Sequence, residues 1–570
     1  MGSSPILRFI YDMAYIAKQK VNGKDYYYLR KSVRGGERII SKSLAYLGKT
    51  KEEAEEKFKE MEKNNKFEKV TEKKEEKEEE QMENRIRECV HKEISVEDLA
   101  NFCKRKGFVF RSSDIYGGFA GFWDFGPLGV ELFNNIKKEW WNFFVHQKEN
   151  MVGMEASVIS HPRTWKASGH IANFNDIAVY CPKCKLSTKI DKSEVGKVKC
   201  NQCGGEYEIK GEFSLMFKTQ VGAIDSESAY LRGETAQGMF MDFKLIQQTS
   251  RMPLPFGIAQ IGRCFRNEIA PRDFLFRCRE FHIGEFEFFI NPEEIKCDLL
   301  TKEHLSVKFH FLDSETQKIN SDKLKEVSIK EILDKKKLDE WHAYWLAEQI
   351  LWFRTLGLNK IKIREHTREE LSHYSSATFD IDYEYPFGSK EVAGIANRGQ
   401  YDLTQHQKES KSSMDIFDEK FGKKVLPRVI EPTFGMERIF LAVLTNAYSE
   451  DKEKANVVLQ IPPRLAPIKA AIFPLVKKDE KLLKISEEIY RDLKKEFNII
   501  YDDSGSIGRR YARNDEAGTP FCITIDENSI KNKDVTIRNR DNGKQVRVKI
   551  INLKEVMRKL ISQEMHFSEL

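Results

Sequence analysis

The stretch GRCFRNEIAPRDFLFRCREFHIGEFEFF, residues 262–289, decides the fold because it combines the pattern of a β-hairpin with many charged residues. Its flanks are rich in aromatic and branched residues, as in a pair of strands. The segment from Ala270 to Asp273 breaks this pattern and predicts the turn or loop between the strands. We therefore expect two antiparallel strands that carry charges on a half-buried face.

The charged residues of this hairpin indicate a binding site. Side chains at positions i and i+2 of a strand share a face, so Arg266 is expected beside Glu268, and Arg277 on one face with Glu285. Burying such charges is costly unless they bind a ligand. A ligand with phosphate and hydrogen-bond donors fits the set, and a surface ladder of cross-strand ion pairs is the alternative.

Length and composition are typical of a multidomain cytoplasmic chain. Its 570 residues, 40% of them hydrophobic, suggest about three or four domains. The net charge of +6 permits nucleic-acid binding without arguing for it, and we expect no DNA partner. The sequence has no apolar run of about 18 residues and no secretory signal, so we expect no membrane partner. Ten cysteines in so long a chain do not indicate a disulfide scaffold, and they fit a reducing compartment.

Residues 1–50 are expected to form a small β-rich module. Residues 25–33 and 38–47 have the pattern of strands, Gly35-Gly36 that of a hairpin turn, and a helix is predicted from Thr50. This order, with basic residues between tyrosines, resembles small nucleic-acid-binding modules of the integrase N-terminal type. A purely structural hairpin is an equally good interpretation.

The rest of the chain divides into three parts. Residues 51–93 begin with a run of Lys and Glu and predict a charged helical or disordered linker. Residues 94–465 form the main body, with a charged insertion at about 293–375 that we expect to be helical. Residues 466–570 alternate strands and helices, with a hairpin around Asn542-Gly543, and predict an α/β domain. The predicted fold class is a multidomain combination of α+β and α/β.

Four cysteines indicate a metal site. Cys181 and Cys184 are two residues apart, as are Cys200 and Cys203, and 15 residues separate the pairs. Four thiolates at this spacing favour tetrahedral zinc in an insertion at about residues 178–210. Because protein ligands would fill all four positions, the zinc would be structural.

Three further segments place charges at the ends of predicted elements. YLRGETAQGMFMDF predicts a strand that runs into a helix, with Glu234 at the junction, where it either meets a cation or caps the helix with Thr235. EVAGIANRGQ places Glu391 and Arg398 on either side of a predicted glycine turn.

The third segment, IEPTFGMERIFLAVL, predicts a strand and then a helix. Glu431 and Thr433 share a strand face, and Arg438 lies in the first helical turn, where an anion can bind.

Taken together, these residues suit a nucleotide and a small ammonium. The arginines are always charged and can bind phosphate oxygens, Glu268 can accept a hydrogen bond from an exocyclic amine, and Glu391 can help to hold Mg²⁺. Glu234, Glu285 and Glu431 suit a small substrate that carries an ammonium group. The sequence contains no Gly-x4-Gly-Lys-Ser/Thr run, which excludes a P-loop nucleotide site.

Residues 94–565 resemble the glycyl-tRNA synthetases of the dimeric, archaeal and eukaryotic-like type, within class II of the aminoacyl-tRNA synthetases. Val152–Pro162, FRNE and GMER resemble the three class motifs. The segments that resemble the glycine enzymes in particular are DFGPLGVEL (124–132), SGHIANFND (168–176), ETAQG (234–238), GIANR (394–398), YDLTQH (401–406) and IEPTFG (430–435). RNDEAGTPFCITID (513–526) resembles a signature of the anticodon-binding domain.

The resemblance implies a class II antiparallel-sheet catalytic domain with ATP, glycine and tRNA(Gly) as partners, Mg²⁺ with the ATP, and a homodimer. The implied ATP-binding residues are Arg266 at the α-phosphate, Asn267, Glu268 at the adenine amine, Phe276 against adenine, Arg277 at the outer phosphates, Glu391 at the metal and ribose, Val392, Gly435, and Arg438 at the γ-phosphate. The implied glycine-binding residues are Glu234, Phe281, Glu285, Arg398 at the carboxylate, Glu431 and Thr433. Arg266 and Arg438 are the implied catalytic residues.

The sequence departs from the family at two positions. Gly233 stands where proline is common, and Thr433 stands where serine is common. Gly233 changes the strand-to-helix junction that orients Glu234. Thr433 adds a methyl group to the very small pocket expected for glycine.

The expected activity is the ATP-dependent attachment of glycine to tRNA through a glycyl adenylate, with release of pyrophosphate and AMP. Two alternatives remain at this stage. One is a synthetase-like protein that binds RNA or regulates without catalysis, although such proteins typically lose the charged residues present here. The other is a class II synthetase for another small amino acid.

Overall fold

The computed structural model describes residues 14–21, 24–35, 38–63, 87–190, 195–224, 226–319, 321–372 and 375–570. The chain forms two compact units, residues 1–87 with 543–545, and residues 88–542 with 546–570. Among the described residues, no helix is long and apolar enough to cross a membrane.

The described residues of the first unit form three strands and one helix, which are β1 (Ala14–Val21), β2 (Lys24–Gly35), β3 (Arg38–Gly48) and α1 (Lys51–Lys63). The strands form an antiparallel sheet in the order β1-β2-β3. The two predicted strands are confirmed, and β1 is an additional strand that the sequence pattern missed. Gly36 of the predicted turn and residues 64–86 of the predicted linker lie outside the described residues.

The second unit contains the remaining strands and helices. Its strands are β4 (Cys89–His91), β5 (Val109–Arg111), β6 (Trp123–Phe125), β7 (Met151–Gly153), β8 (Ile159–Ser160), β9 (Asn175–Tyr180), β10 (Ser187–Ile190), β11 (Glu208–Ser214), β12 (Lys218–Val221), β13 (Glu227–Leu231), β14 (Phe256–Phe265), β15 (Glu280–Ile290), β16 (Lys308–Leu312), β17 (Lys325–Ser328), β18 (Ile361–Glu365), β19 (Ala377–Tyr385), β20 (Gly388–Gly399), β21 (Ile416–Asp418), β22 (Lys423–Val425), β23 (Arg428–Gly435), β24 (Tyr448–Asp451), β25 (Val457–Leu459), β26 (Ala470–Pro474), β27 (Ile499–Tyr501), β28 (Phe521–Ile525), β29 (Asp534–Asn539) and β30 (Gln545–Lys549). Its α-helices are α2 (Val96–Lys106), α3 (Pro127–Trp141), α4 (Pro162–Ala167), α5 (His170–Asn173), α6 (Ala236–Ser250), α7 (Lys302–Ser306), α8 (Ser314–Lys318), α9 (Ile329–Asp334), α10 (Glu340–Thr355), α11 (Tyr401–Ser410), α12 (Met436–Ala447), α13 (Glu480–Leu493), α14 (Ile507–Glu516), α15 (Glu527–Asn532) and α16 (Ile550–Ser562).

A sheet of nine strands forms the centre of the main body, in the order β17-β16-β18-β19-β20-β23-β15-β14-β7. Its pairs are antiparallel except β16 with β18 and β14 with β7, which are parallel. The opening hairpin lies within this sheet, since β14 and β15 pair along their whole length from Phe256 opposite Phe289 to Phe265 opposite Glu280.

The hairpin prediction was wrong about where the charged residues lie. β14 ends at Phe265 and β15 begins at Glu280, so Arg266, Glu268 and Arg277 belong to the connecting loop and not to a strand face. Their own hydrogen bonds hold this loop in shape, and it is much longer than the predicted four-residue turn.

The insertion expected to be helical at about 293–375 contains helices α7 to α10, but it is not helical throughout. This segment supplies three strands, β16, β17 and β18, to the main sheet. Its longest helix, α10, is buried nearly all round, and Trp345 on it packs against Phe286 and Phe288 of β15 with ring centroids 4.6 and 4.9 Å apart. A helix buried on all sides has no amphipathic stripe. The charge content of this segment was therefore a poor guide to its secondary structure.

Two shorter predictions also change. The strand expected from Val152 to Ile159 is two short strands in different sheets, because β7 joins the main sheet and β8 pairs with β13. The predicted glycine turn between Glu391 and Arg398 does not exist, because both residues lie on the single strand β20.

The C-terminal part is a separate layer with its own core. Strands β27-β26-β28-β29-β30 form its sheet in that order, and apolar residues of α13 and α16 pack against it. The predicted α/β alternation and the hairpin into β30 are confirmed.

Gly129 and Gly508 offer a matched test of the packing. A Cβ atom at Gly129, on α3, would lie 1.8 Å from the carbonyl oxygen of Phe108, whereas a Cβ at Gly508, on α14, meets nothing within 4 Å. We expect Gly129→Ala to destabilise the protein by about 1–3 kcal/mol, because backbone must move, and Gly508→Ala to be neutral or stabilising. Thermal unfolding measures both variants, and equal midpoints would contradict the packing described.

Candidate active site

Arg266 follows the end of β14, where the loop starts. Its backbone N–H donates to the carbonyl of Arg279 (2.9 Å), so one further rung continues the hairpin. Its Nε donates to the carbonyl of Gly233 at 3.1 Å. The guanidinium lies 5.3 Å from the ring centre of Phe174 and 5.4 Å from that of Phe281. Two rings and one carbonyl therefore fix the direction of the arginine.

Glu268 and Arg277 form an ion pair in the same loop. Nε and Nη2 of Arg277 lie 2.8 and 2.6 Å from one carboxylate oxygen of Glu268. Glu268 is buried, and the pair holds the two ends of the loop together. The two side chains therefore do meet, although not on a strand face.

Arg438 lies at the start of α12, as predicted, and its guanidinium lies 4.4 Å from the ring centre of Phe276. It also makes an ion pair with Glu391 at 3.0 Å and donates to the carbonyl of Phe276 at 3.3 Å. A Cβ atom at Gly435 would lie 3.0 Å from Cδ of Arg438, so glycine leaves room for this side chain.

These residues line one cleft. The predicted residues that line it are Arg266, Glu268, Phe276, Arg277, Phe281, Glu391, Thr433, Gly435 and Arg438. Two predicted ATP-binding residues do not line it. Val392 is fully buried in the core, and the backbone N–H of Asn267 donates to Leu215 at 2.8 Å.

The cleft continues past Arg438 into a second pocket that the sequence reasoning missed. Asp382 lies there, directly opposite Glu391 where β19 pairs with β20. Burial raises the pKa of Asp382 to about 6, with Asp380 and Glu391 adding to the effect and Arg364 opposing it. Alternating Asp residues in ATFDIDYEY were the only sequence signal for this acid.

Glu234 lies at the junction of β13 and α6, as predicted, but it does not cap the helix. One oxygen is 3.2 Å from Nε2 of His170, and the other accepts from Gln237 at 2.8 Å. Arg398 lies 3.8 Å away. The interpretation of Glu234 as a partner for cations is thus the correct one, and Thr235 makes no capping bond.

Arg398 is buried among acids. Its Nε and Nη2 donate to the two oxygens of Asp402 at 2.7 and 2.9 Å, and its Nη1 donates to Glu431 at 2.6 Å. The guanidinium also lies 5.3 Å from the ring centre of Phe240. The resemblance directs Arg398 toward a substrate carboxylate, but in the structure it holds protein carboxylates.

Glu285 lies on β15 directly opposite Thr433 of β23. One of its oxygens accepts from both the backbone N–H (2.8 Å) and the hydroxyl of Thr235, and the other accepts from the hydroxyl of Thr433 at 3.4 Å. Thr235 and Thr433 together hold this buried carboxylate, and of these residues only Thr433 lines the cleft.

The pKa values of the buried acids are shifted in different directions. Burial raises the pKa of Glu285, and the charge of Glu234 adds to this. Burial also raises the pKa of Glu431 to about 8, although Arg398 opposes the shift. Burial acts against the charge of Glu234 as well, but its contacts with His170 and Arg398 outweigh burial and lower its pKa. The site therefore holds more carboxylates than it can ionise at once.

Sequence reasoning missed four residues of this region, namely His170, Gln237, Glu287 and Asp402. Three of them lie inside motifs quoted above, since His170 is in SGHIANFND, Gln237 in ETAQG and Asp402 in YDLTQH. Glu287 follows Glu285 by two residues, so strand alternation was the available signal.

The four cysteines converge as predicted. Sγ atoms of Cys181 and Cys203 are 3.5 Å apart, as are those of Cys184 and Cys200, and all four lie within 4.8 Å of one another. Tetrahedral zinc with Zn–S of about 2.3 Å requires S···S of about 3.8 Å, so the four thiols fit this ion. A Cβ atom at Gly205 would lie 3.1 Å from Sγ of Cys181, which explains glycine at that position.

The base of the cysteine insertion contacts the cleft. β9 and β11 leave the main body next to Phe174 and Leu215, whose backbones are joined by a hydrogen bond of 3.1 Å. Phe174 stacks on Arg266, and Leu215 accepts from Asn267. The insertion thus forms one wall beside Arg266.

Comparisons with known proteins agree with this architecture. Residues 469–560 match the family model "Anticodon binding domain". The chain is 42% identical to the glycine–tRNA ligase of Borreliella burgdorferi (strain ZS7) over 472 residues, which cover 81% of this chain and 96% of that protein. It is 42% identical to the enzyme of Treponema denticola (80% and 95% covered) and 41% identical to that of Geobacillus thermodenitrificans (82% and 98%).

A solved structure shares the fold. The prolyl-tRNA synthetase from Cryptosporidium parvum, crystallised with halofuginone and AMPPNP, aligns with a TM-score of 0.52 over 83% of this chain and 79% of that one. At 15% sequence identity, the match supports the class II synthetase fold alone.

Proposed function

The chain belongs to the glycine–tRNA ligase family, and we propose that the cleft between Arg266 and Arg438 and the acids at its inner end carry out the family's reaction. The protein attaches glycine to tRNA at the expense of ATP. The observation that carries the assignment to this cleft is one juxtaposition. Thr433 lines the pocket that Arg266, Arg277 and Arg438 also line, and its hydroxyl donates to the buried carboxylate of Glu285 at 3.4 Å.

ATP would lie on the arginine side of the cleft. Arg266 would hold the α-phosphate and Arg277 the outer phosphates, because guanidinium groups bind phosphate oxygens in two-bonded geometry. Glu268 would release Arg277 to accept from the adenine amine. The guanidinium of Arg438 stacks on the ring of Phe276 at 4.4 Å, and the two groups would separate to admit the adenine ring between them.

Glycine would lie on the acid side. Glu234, Glu285 and Glu431 would surround its ammonium, and its carboxylate oxygen would attack the α-phosphorus in line while pyrophosphate leaves. No protein nucleophile is needed, since the rate comes from positioning and from charge stabilisation by the arginines. The hydroxyl of the terminal tRNA ribose then attacks the glycyl adenylate and releases AMP.

Selection for glycine would depend on a closed pocket. Loss of contacts distinguishes a methylene by only about 1–3 kcal/mol, so exclusion of alanine by a wall is the stronger device. The methyl group of Thr433 and the buried side chain of Glu285 would supply part of this wall.

Arg398 would position the acids and would not bind the substrate carboxylate directly. Its hydrogen bonds go to Asp402 and Glu431, and such a charge-assisted network fixes both carboxylates. Arg266 lines the cleft and is held between the rings of Phe174 and Phe281, so it is the better partner for the carboxylate of glycine.

Mg²⁺ would be held with ATP by Glu391, and Asp382 opposite it would be a second ligand. The ion would neutralise charge on the leaving pyrophosphate. Glu391 lines both pockets and Asp382 lines the second, which supports this assignment.

The proposal also covers tRNA binding, the oligomeric state and the cellular location of the protein. The C-terminal domain would bind tRNA(Gly), as its family model suggests. We propose a homodimer from the resemblance of residues 152–162 to the first class motif, and a cytoplasmic protein because the cysteines of the described residues form no disulfide. Residues 1–50 would be an accessory module that either binds nucleic acid or has a purely structural role.

Replacing Arg266 with alanine tests the ATP side. We expect Arg266→Ala to lower glycine-dependent ATP–pyrophosphate exchange by about a thousandfold or more, because the group that stabilises the α-phosphate charge is lost. Arg263→Ala is the matched control, since Arg263 lies on the same hairpin, exposed and paired with Glu280 at 2.7 Å. The wild type should respond to glycine and not to alanine, serine or proline.

Wild-type exchange in Arg266→Ala would refute the role of Arg266. Exchange of the wild type with another amino acid in place of glycine would refute the substrate assignment. A loss of the same size in Arg263→Ala would indicate damage to the hairpin and not a specific role.

Metal analysis tests the cysteine cluster. We expect about one zinc per purified wild-type chain and far less in Cys200→Ser, because a structural zinc needs all four thiolates. Cys89→Ser is the control, since Cys89 lies outside the cluster and its thiol donates to the carbonyl of Asp541. Equal zinc contents in wild type and Cys200→Ser would disprove the site.

A further inference from the structure

Glu287 is a buried acid that the proposed reaction does not use. It lies on β15 two residues after Glu285, so the two side chains share a face. Its side chain has no solvent exposure, and neither carboxylate oxygen has a hydrogen-bond partner among the described residues. Carboxylate oxygens of Glu285, Glu287 and Glu431 lie within 4.8 Å of one another.

The charges around Glu287 do not balance. Its own strand supplies Glu285, β23 supplies Glu431, α11 supplies Asp402, and Arg398 of β20 is the cation among the groups that act on it. Arg398 already donates to Asp402 and Glu431. β14 offers the apolar Ile258 opposite Glu287 and no compensating charge there.

Burial in such surroundings favours the neutral acid. It raises the pKa of Glu287 well above its ordinary value and that of Glu431 to about 8, in both cases as the largest cause. Two carboxylates that share a confined site cannot both ionise easily, so one proton is retained between them.

We propose that Glu287 and Glu431 share one proton between β15 and β23, and that Glu287 is thereby a positioning residue of the glycine pocket. In the state that shares the proton, the hydroxyl of the Glu287 carboxyl group would donate to an oxygen of Glu431, while Arg398 donates to Oε1 of Glu431. Held from two sides, Glu431 keeps one orientation toward the ammonium. The inference rests on the proposed function of the pocket.

The shared proton links glycine binding to pH. An ammonium next to the pair stabilises the state in which both acids are ionised, so glycine binds that state more tightly. The KM for glycine should therefore fall as pH rises through the pKa of the pair. A glutamine at position 287 donates a hydrogen bond without a titratable proton, and it should remove most of this dependence.

The experiment compares Glu287→Leu with Glu287→Gln in ATP–pyrophosphate exchange. We expect Glu287→Leu to raise the KM for glycine about tenfold or more, because Glu431 loses its donor, while the KM for ATP changes by less than about threefold. Glu287→Gln should bring the KM for glycine back to within about threefold of wild type, with a flatter pH profile.

Glu348→Gln is the matched control, because Glu348 is also a buried acid but pairs with Lys148 and His304 away from the pocket. It should alter the unfolding temperature without a selective change in the KM for glycine. If Glu287→Leu does not fold, the pH profiles of wild type and Glu287→Gln decide the matter.

Three results would overturn the proposal. Glu287→Gln as defective as Glu287→Leu would show that Glu287 acts through its negative charge. A Glu287→Leu variant with wild-type constants would show that it has no role, and identical pH profiles in wild type and Glu287→Gln would exclude the shared proton. A wild type without glycine-dependent exchange would instead refute the proposed function itself.

Discussion

One buried arginine holds the inner end of the cleft together. Arg398 donates to Asp402 and Glu431 and lies 3.8 Å from Glu234, so a single cation serves three carboxylates. Removing one partner of a buried ion pair is costly, and an excess of buried acids is equally unfavourable. The repulsion among these carboxylates is therefore lowest when a second cation, such as an ammonium, binds next to them.

Strand order explains how these groups meet. β20, β23 and β15 are neighbours in the central sheet and carry Arg398, Glu431 and Glu285 respectively. The register places Glu431 opposite Ala396 and Thr433 opposite Glu285, so acids and hydroxyl face one region. The ATP side depends on loops and helix starts next to the same strands. A rigid sheet thus sets the distance between the two halves of the site.

The sequence predicted the parts of this arrangement that local pattern controls. Helix α12 after Gly435, the C-terminal alternation and the convergence of four cysteines all follow from spacing and turn chemistry. The loop from Arg266 to Arg279 did not, because its shape depends on the Glu268–Arg277 pair and on contacts with Gly121 and Leu215. The partners of Arg398 also depend on strand register and a following helix, which no local pattern reveals.

The central claim is that Arg398 positions the acids for glycine and does not act on ATP. The most direct test is the KM for each substrate in Arg398→Lys, since lysine keeps the charge but cannot bond Asp402 and Glu431 in the same forked geometry. We predict a KM for glycine raised by about a hundredfold, with the KM for ATP within about threefold of wild type. Equal increases for both substrates, or no increase for glycine, would contradict the account.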